Sequence, residues 1–513
     1  MTTSASHPTE PGQSLPPHVH TFVIGAGFGG LGLAIKLDEA GERDFLVAER
    51  GDDVGGTWRD NTYPGAACDV PSQLYSFSFA PNTEWSRSFS PQPEILAYIQ
   101  RVAEQSGVLD RFRFRTEVLE VRWDEGDTRW RIRTSRGELT ADVVVSAAGA
   151  LSDPKLPDIE GMDSFGGEIF HSARWRHDHD LTGKRVAVIG TGASAIQIVP
   201  EVAPKAAHLD VYQRTAPYVA PRNDRPYTAV EKLAFKHLPV VQKIYRTGVY
   251  WGREALFPGF AVDPRLALPA HQLALANIRK GIKDPGLRAK VTPDYRIGCK
   301  RILISNDYYP ALDRDDVDLV TERISKITAD AVVTDDGVEH PVDVLVVATG
   351  FHTTDLPIAH RIRGRAGELL SDYFGREGMQ AYKGSTVSGF PNLFFIVGPN
   401  TGLGHSSMVF MIESQIAYVV DALRTMRARR VVTVEPTRAA QKRWNDDLQR
   451  RMEKTVWSSG GCVSWYLDGH GRNVTLWPRP TFTFRRLTSR FDAEAYVATH
   501  ATPTADSREK VPA

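Results

Sequence analysis

Apolar and polar positions along the chain alternate between short continuous hydrophobic runs, glycine-rich breaks and stretches with helical spacing. The first such unit is Thr21-Phe22-Val23-Ile24, which breaks into Gly25-Ala26-Gly27-Phe28-Gly29-Gly30 and resumes with helical periodicity to Leu37. A strand, a glycine turn and a helix are predicted. The pattern returns at Arg185-Val186-Ala187-Val188-Ile189, followed by Gly190-Thr191-Gly192-Ala193-Ser194-Ala195 and a second helical stretch. Two further apolar strands, 142–145 and 343–347, run on to Gly149 and Gly350, where an excursion into a second unit would begin or end. Between about 227 and 290 the pattern turns helical and aromatic through Phe235, Tyr245, Tyr250, Trp251 and Phe257, as amphipathic packing requires.

These elements predict an α/β fold with two Rossmann-like dinucleotide-binding domains, the second inserted into the first, and a helical insertion. The expected boundaries are 18–152 with 343–500 for the first domain, 153–225 with 291–342 for the second, and 226–290 for the insertion. Residues 1–17 and 501–513, small, polar and proline-containing, are expected to be disordered tails.

Composition narrows the class. The 513 residues suffice for two to four domains at about 150 residues each. With 62 Lys and Arg against 62 Asp and Glu the formal net charge is zero, which argues against a nucleic-acid partner. No apolar run approaches the ~18 residues of a membrane helix, and no secretory signal pattern opens the chain. The three cysteines, Cys68, Cys299 and Cys462, are odd in number and far apart. They predict no disulfide, no CxxC pair and no metal cluster, and hence a reducing, cytoplasmic setting and no disulfide reductase.

The glycines of each turn have separate tasks. One permits the bend, one lets a pyrophosphate approach the backbone, and one lets helix pack on strand, with the helix N-terminus facing the phosphates. Gly25, Gly27 and Gly30 take these roles in the first unit; Gly190, Gly192 and Ala195 take them in the second. The next strand of each unit discriminates between nucleotides. In the first it ends at Glu49, 24 positions after Gly25, where a carboxylate accepts hydrogen bonds from free ribose hydroxyls. In the second it ends at Arg214, again 24 positions on, where a guanidinium favours a 2′-phosphate. FAD is therefore expected in the first unit and NADPH in the second.

Two longer motifs choose among the flavoproteins that share this architecture. Gly55-Gly56-Thr57-Trp58, then Tyr63-Pro64-Gly65 and Asp69, resembles the first fingerprint of the type I Baeyer–Villiger monooxygenases. Phe165, Gly167, His171 and Trp175 resemble the second, a linker motif ahead of the NADPH turn, although Arg176 stands where the family usually has Pro or Asp. The likeness runs from about residue 20 to about 490. It implies an NADPH- and O2-dependent flavoprotein that inserts one oxygen beside a ketone carbonyl, through a C4a-peroxyflavin, giving an ester or lactone. Oxygenation of sulfur or nitrogen is the alternative chemistry, and a non-catalytic redox sensor the alternative class.

The resemblance also implies roles. In Gly298-Cys299-Lys300-Arg301 it makes Arg301 the catalytic cation facing the flavin, with Lys300 assisting Arg214 at the 2′-phosphate. The chemical reason is that a cation which never deprotonates keeps an anionic oxygen nucleophile ionised and later holds the oxyanion of its adduct. Asp69 is implied to orient that arginine. The expected FAD residues are Gly25, Gly27, Phe28, Gly30, Glu49, Thr57, Trp58, Asp69, Tyr75, Val118 and Met408. Those expected at NADP are Gly190, Thr191, Gly192, Ala193, Ser194, Gln197, Arg214, Thr215, Lys300 and, on a mobile loop, Trp465. Residues 398–408, between a strand and a helix, are expected at the isoalloxazine, with Met408 also on the ketone pocket. His171 is expected to couple the linker rather than to transfer protons.

Overall fold

The computed structural model describes residues 14–500. The expected tail at 501–513 and most of that at 1–17 lie outside the described residues; within the latter, the Pro17 carbonyl accepts a hydrogen bond from the Thr140 amide.

Two sheets carry the two units. In the first, β1 (His18–Ile24) leads through the glycine turn into α1 (Phe28–Glu39), and β2 (Phe45–Ala48) and β3 (Gly137–Ser146) flank β1 in parallel, with Val23 opposite Val47 and Val145. These strands read as unbroken apolar runs because both faces are covered, the usual condition of a parallel sheet. The second sheet is wholly parallel and places β5 (Arg185–Ile189) between β6 (His208–Tyr212) and β9 (Val344–Val347). Its edges are β4 (Glu168–His171) and β7 (Val317–Val320), and α2 (Ala195–Val202) follows β5. A separate antiparallel hairpin sheet, ending in β8 (Glu339–Pro341), covers one face of it.

Strand β9 corrects the expected boundary at 343. It pairs with β4 and β5 and so belongs to the second unit, and the return to the first begins after Gly350. The reason is visible at the two glycine turns. Gly25 has φ +98° and a Cβ there would lie 2.8 Å from the Ala147 carbonyl oxygen, just past β3. Gly190 has φ +116° and would meet the Ala348 carbonyl oxygen at 2.6 Å, just past β9. Each turn thus packs on the strand end of its own sheet, and β9 is to the second unit what β3 is to the first.

The insertion is helical as expected, its longest element being α3 (Pro239–Glu254). Phe235 and Tyr245 pack inward on Tyr227, whereas Val240, Ile244 and Trp251 are exposed. Helix α4 (Met408–Arg429) crosses α1 and buries Ile412, Ile416, Val419 and Leu423 in the largest core cluster.

The cysteine expectation is overturned. Cys299 and Cys462, 163 positions apart in sequence, form a disulfide with Cα atoms 6.2 Å apart. Spacing along the chain carried no hint of it, because only the docking of the 460–472 segment onto the second unit brings the pair together. Here the Arg296 amide donates to the Gly460 carbonyl. Cys68 is the free thiol, and burial pushes its ionisation up, which leaves it inert. Closing so long a loop is expected to stabilise the fold by about 2–4 kcal/mol. Cys462→Ser should therefore lower the thermal midpoint followed by flavin fluorescence, with FAD retained at room temperature; an unchanged midpoint would count against a formed bridge.

Candidate active site

A cleft opens at the C-terminal ends of β1 and β2 and runs to the start of α4. Of the residues expected at FAD, Gly25, Gly27, Phe28, Glu49, Thr57, Trp58, Tyr75, Val118 and Met408 line it. Gly30 and Asp69 do not: Asp69 pairs with Arg301 instead, and Gly30 serves packing, since a Cβ there would sit 1.8 Å from the Gly25 carbonyl oxygen, so no side chain is admitted. Glu49 is buried at the strand end, accepting from the amides of Ala26 (2.8 Å) and Gly51 (2.7 Å). Its third partner, Arg59 at 2.9 Å, also lines the cleft and went unremarked in the sequence. Its position inside the 55–69 motif was the available signal. The Trp58 indole donates to the Tyr75 hydroxyl (3.0 Å), and both rings close one wall with Phe28. The cleft, the glycine turn and the capped carboxylate fit a dinucleotide with an unphosphorylated ribose.

The second turn fits a phosphorylated one. A Cβ on Gly192 would meet nothing within 4 Å, so the space ahead of α2 is open to a pyrophosphate. Thr191 donates to the Thr215 carbonyl (3.1 Å), and Ala193 and Ser194 complete the turn. Burial, and after it the charge of exposed Arg214, holds the Lys300 ammonium below its usual range, so the two cations share one region. No ion pair engages either among the described residues, which leaves both free for a phosphate. Gln197 joins the two units: its amide accepts from the Tyr63 hydroxyl (3.0 Å) and donates to the Ala67 carbonyl (3.0 Å).

A charged pair joins the two units. Arg301 reaches Asp69 with Nε to Oδ2 and Nη2 to Oδ1, each 2.7 Å, and its Nη1 donates to the Leu403 carbonyl (3.3 Å). The bidentate fork fixes the guanidinium plane. Asp69's charge raises the Arg301 pKa against its burial. Burial in turn would raise the Asp69 pKa, but the Arg301 charge and hydrogen bonds and the nearby Arg253 outweigh it and hold the carboxyl below the ordinary range. Arg253, near the end of α3, also donates to the Asp69 carbonyl oxygen (3.1 Å). Leu403 belongs to the segment that ends at Met408 on the cleft, and cleft-lining Tyr75 feels the charges of both Asp69 and Arg301. Tyr466, buried beside Arg301, has its phenol pushed up to about 12 by burial.

Sequence reasoning also missed Glu254. It joins His405 (3.2 Å) to the Thr481 hydroxyl (2.7 Å) and so ties the insertion to the segment beneath the cleft. Trp465 is exposed, its carbonyl accepting from the Thr353 hydroxyl (3.4 Å) and its ring tilted against Tyr466, in the loop that Cys462 anchors.

The linker motif does not line the cleft. Gly167 leaves no room for a Cβ, which would lie 2.3 Å from the Asp343 carbonyl and 2.6 Å from the Phe165 ring, and Trp175 packs edge-on against Phe170. His171 Nε2 pairs with the Gly350 carbonyl (3.0 Å), while Nδ1 accepts from the Ala173 amide (3.1 Å), which requires a neutral ring. It thereby pins the two crossings between units, where the Lys155 amide also donates to Gly350.

With the geometry in place, comparisons identify the group. The pyridine nucleotide-disulphide oxidoreductase model matches residues 22–243. A Baeyer–Villiger monooxygenase of Streptomyces coelicolor is 52% identical over 488 residues, 95% of this chain and 94% of its own length. The chain belongs to the Baeyer–Villiger monooxygenase family. A second member of the family, from Pseudomonas aeruginosa, is 49% identical over 97% of this chain and 94% of its own. Cyclohexanone monooxygenase from Rhodococcus sp. Phi1 bound to NADP+ superposes with TM-score 0.84 at 30% identity, covering 95% of this chain and all of that one.

Burial lowers the His171 pKa from 6.5 to about 4. Between these values the unfolded chain takes up a proton that the fold refuses, so stability is expected to fall as pH drops from about 6.5 toward 4. His171→Gln should show a shallower decline of thermal midpoint over that window; parallel profiles would refute the assignment.

Proposed function

We infer that this family member uses FAD and NADPH to insert one atom of O2 beside a ketone carbonyl, giving an ester or lactone, with Arg301 and Asp69 as its catalytic pair. The observation that carries this reading is the Asp69–Arg301–Leu403 arrangement next to the cleft. Flavin reduced by NADPH supplies the activation of oxygen. The cleft residues around Glu49 and Trp58 hold the flavin nucleotide. Arg214 and Lys300 take the 2′-phosphate, and the α2 N-terminus takes the pyrophosphate.

Arg301 is the group that favours nucleophilic over electrophilic oxygen. Its charge is permanent, its plane is set by Asp69, and its remaining N–H groups can meet an oxygen that turns negative during addition to the carbonyl. Asp69 cannot serve as a proton donor near neutral pH, because Arg301 and Arg253 keep it ionised. The aromatic wall of Phe28, Trp58 and Tyr75 excludes water, which would otherwise divert activated oxygen to peroxide. Trp465, on the loop anchored by Cys462, extends the NADP side. A cytoplasmic location agrees with the demand for NADPH.

Arg301→Ala should leave reduction of the flavin by NADPH largely intact and cut ester formation at least ~100-fold, the scale of losing an oxyanion donor. Stopped-flow reduction and product analysis measure the two separately; retained ester formation removes the mechanism, and sulfoxide without ester from a ketone and thioether panel redirects it to heteroatom oxidation. Arg214→Ala should raise KM for NADPH by about 10- to 100-fold, the worth of a charge-assisted contact, and leave KM for NADH nearly unchanged. An equal rise for both coenzymes contradicts the 2′-phosphate role.

A further inference from the structure

Away from the cleft, the second sheet gathers a set of ligating side chains that the oxygenation chemistry does not use. His208 and Asp210 are two apart on β6 and so share one face. Asp318 on β7 lies directly opposite Asp210 in the parallel register. His208 Nε2 stands 3.4 Å from Asp210 Oδ1 and 3.3 Å from Asp318 Oδ2, and all three ligand atoms fall within 4.8 Å of one another. From β8, His340 brings Nδ1 to 3.9 Å from the same Asp210 oxygen.

The decisive atom is that oxygen. The Asp210 side chain is 6% exposed, yet Oδ1 has no hydrogen-bond partner. The neighbouring imidazoles approach it without hydrogen-bond geometry. A buried carboxylate oxygen in that condition is costly, by roughly 1–3 kcal/mol or more, unless something else occupies the centre of the ring. A four-coordinate cation with bonds of about 2.0–2.1 Å to nitrogen and oxygen spaces its ligands about 3.3–3.4 Å apart, which is the spacing found around His208.

The geometry points to a binding site for a divalent transition cation of the zinc class, formed by His208 Nε2, Asp210 Oδ1 and Asp318 Oδ2, with His340 on the remaining side. Imidazole and carboxylate donors suit zinc and its neighbours better than magnesium or calcium, which take oxygen-only shells. Asp318 is exposed and gives the ion its path from solvent. Tyr212, on the same strand face, packs its ring edge-on against His340 at 5.9 Å and sets that imidazole's orientation. The site lies at the start of β6, whereas Arg214 follows its end, about 13 Å from Asp210 and about 20 Å from His208 at the rise of an extended strand. Its role is therefore to clamp β6, β7 and the hairpin sheet together, separate from cofactor reduction.

The test uses flavin-loaded full-length protein made without a polyhistidine tag and dialysed against chelator. Titration with zinc chloride, read by calorimetry, should show one saturable equivalent and a raised thermal midpoint. Cobalt(II) chloride should give the intense visible absorption of a four-coordinate ion. Asp210→Asn and Asp318→Asn should each weaken zinc binding at least about tenfold, the smallest loss that altering even an outer-shell partner brings. Asp318 is exposed, so its replacement folds and keeps the result decisive if Asp210→Asn does not. Absence of a saturable equivalent, or equal zinc affinity in wild type and Asp318→Asn, overturns the proposal.

Discussion

Everything in this molecule that concerns oxygen chemistry converges on one guanidinium that must stay charged in a half-buried place. A cation there needs a fixed counter-charge, and Asp69 supplies it from the other nucleotide unit through two 2.7 Å hydrogen bonds. Neither partner is positioned by its own neighbours alone. The Leu403 carbonyl steadies Arg301 and the end of α3 grips the Asp69 backbone. Removing one member of such a pair leaves an uncompensated charge, so the arrangement makes the two units and the insertion interdependent.

The units meet through directional polar contacts and through one shared apolar cluster, in which Tyr218 and Ile297 of the second unit pack with Met452, Val456, Trp457 and Tyr466 of the first. Gln197 reads Tyr63 and Ala67 across the seam, and His171 fastens the paired crossings at Gly350. Each sheet keeps its own hydrophobic clusters. The directional bonds set the register of the units, and the shared cluster with the Cys299–Cys462 bridge holds them together.

What could be read from the chain alone was local. Gly25 and Gly190 announce their turns because only residues free of a Cβ fit there, and Glu49 and Arg214 are found by counting along one strand. The pairing of Arg301 with Asp69 came from family resemblance, since 232 positions separate them and no periodicity links them. Strand β9 was assigned to the wrong sheet because a strand buried on both faces looks the same in either. The Cys299–Cys462 bridge and the Glu254–His405 contact were invisible because each joins segments that only tertiary docking brings side by side.

The cystine has a practical corollary. It immediately precedes Lys300-Arg301 and ends on the loop bearing Trp465. Preparations kept in dithiothreitol and preparations kept without it thus differ in how the segment leading into the key cation is tethered. Buffer redox chemistry becomes a hidden coordinate of any turnover comparison, and two laboratories using the same gene can be studying differently cross-linked catalysts.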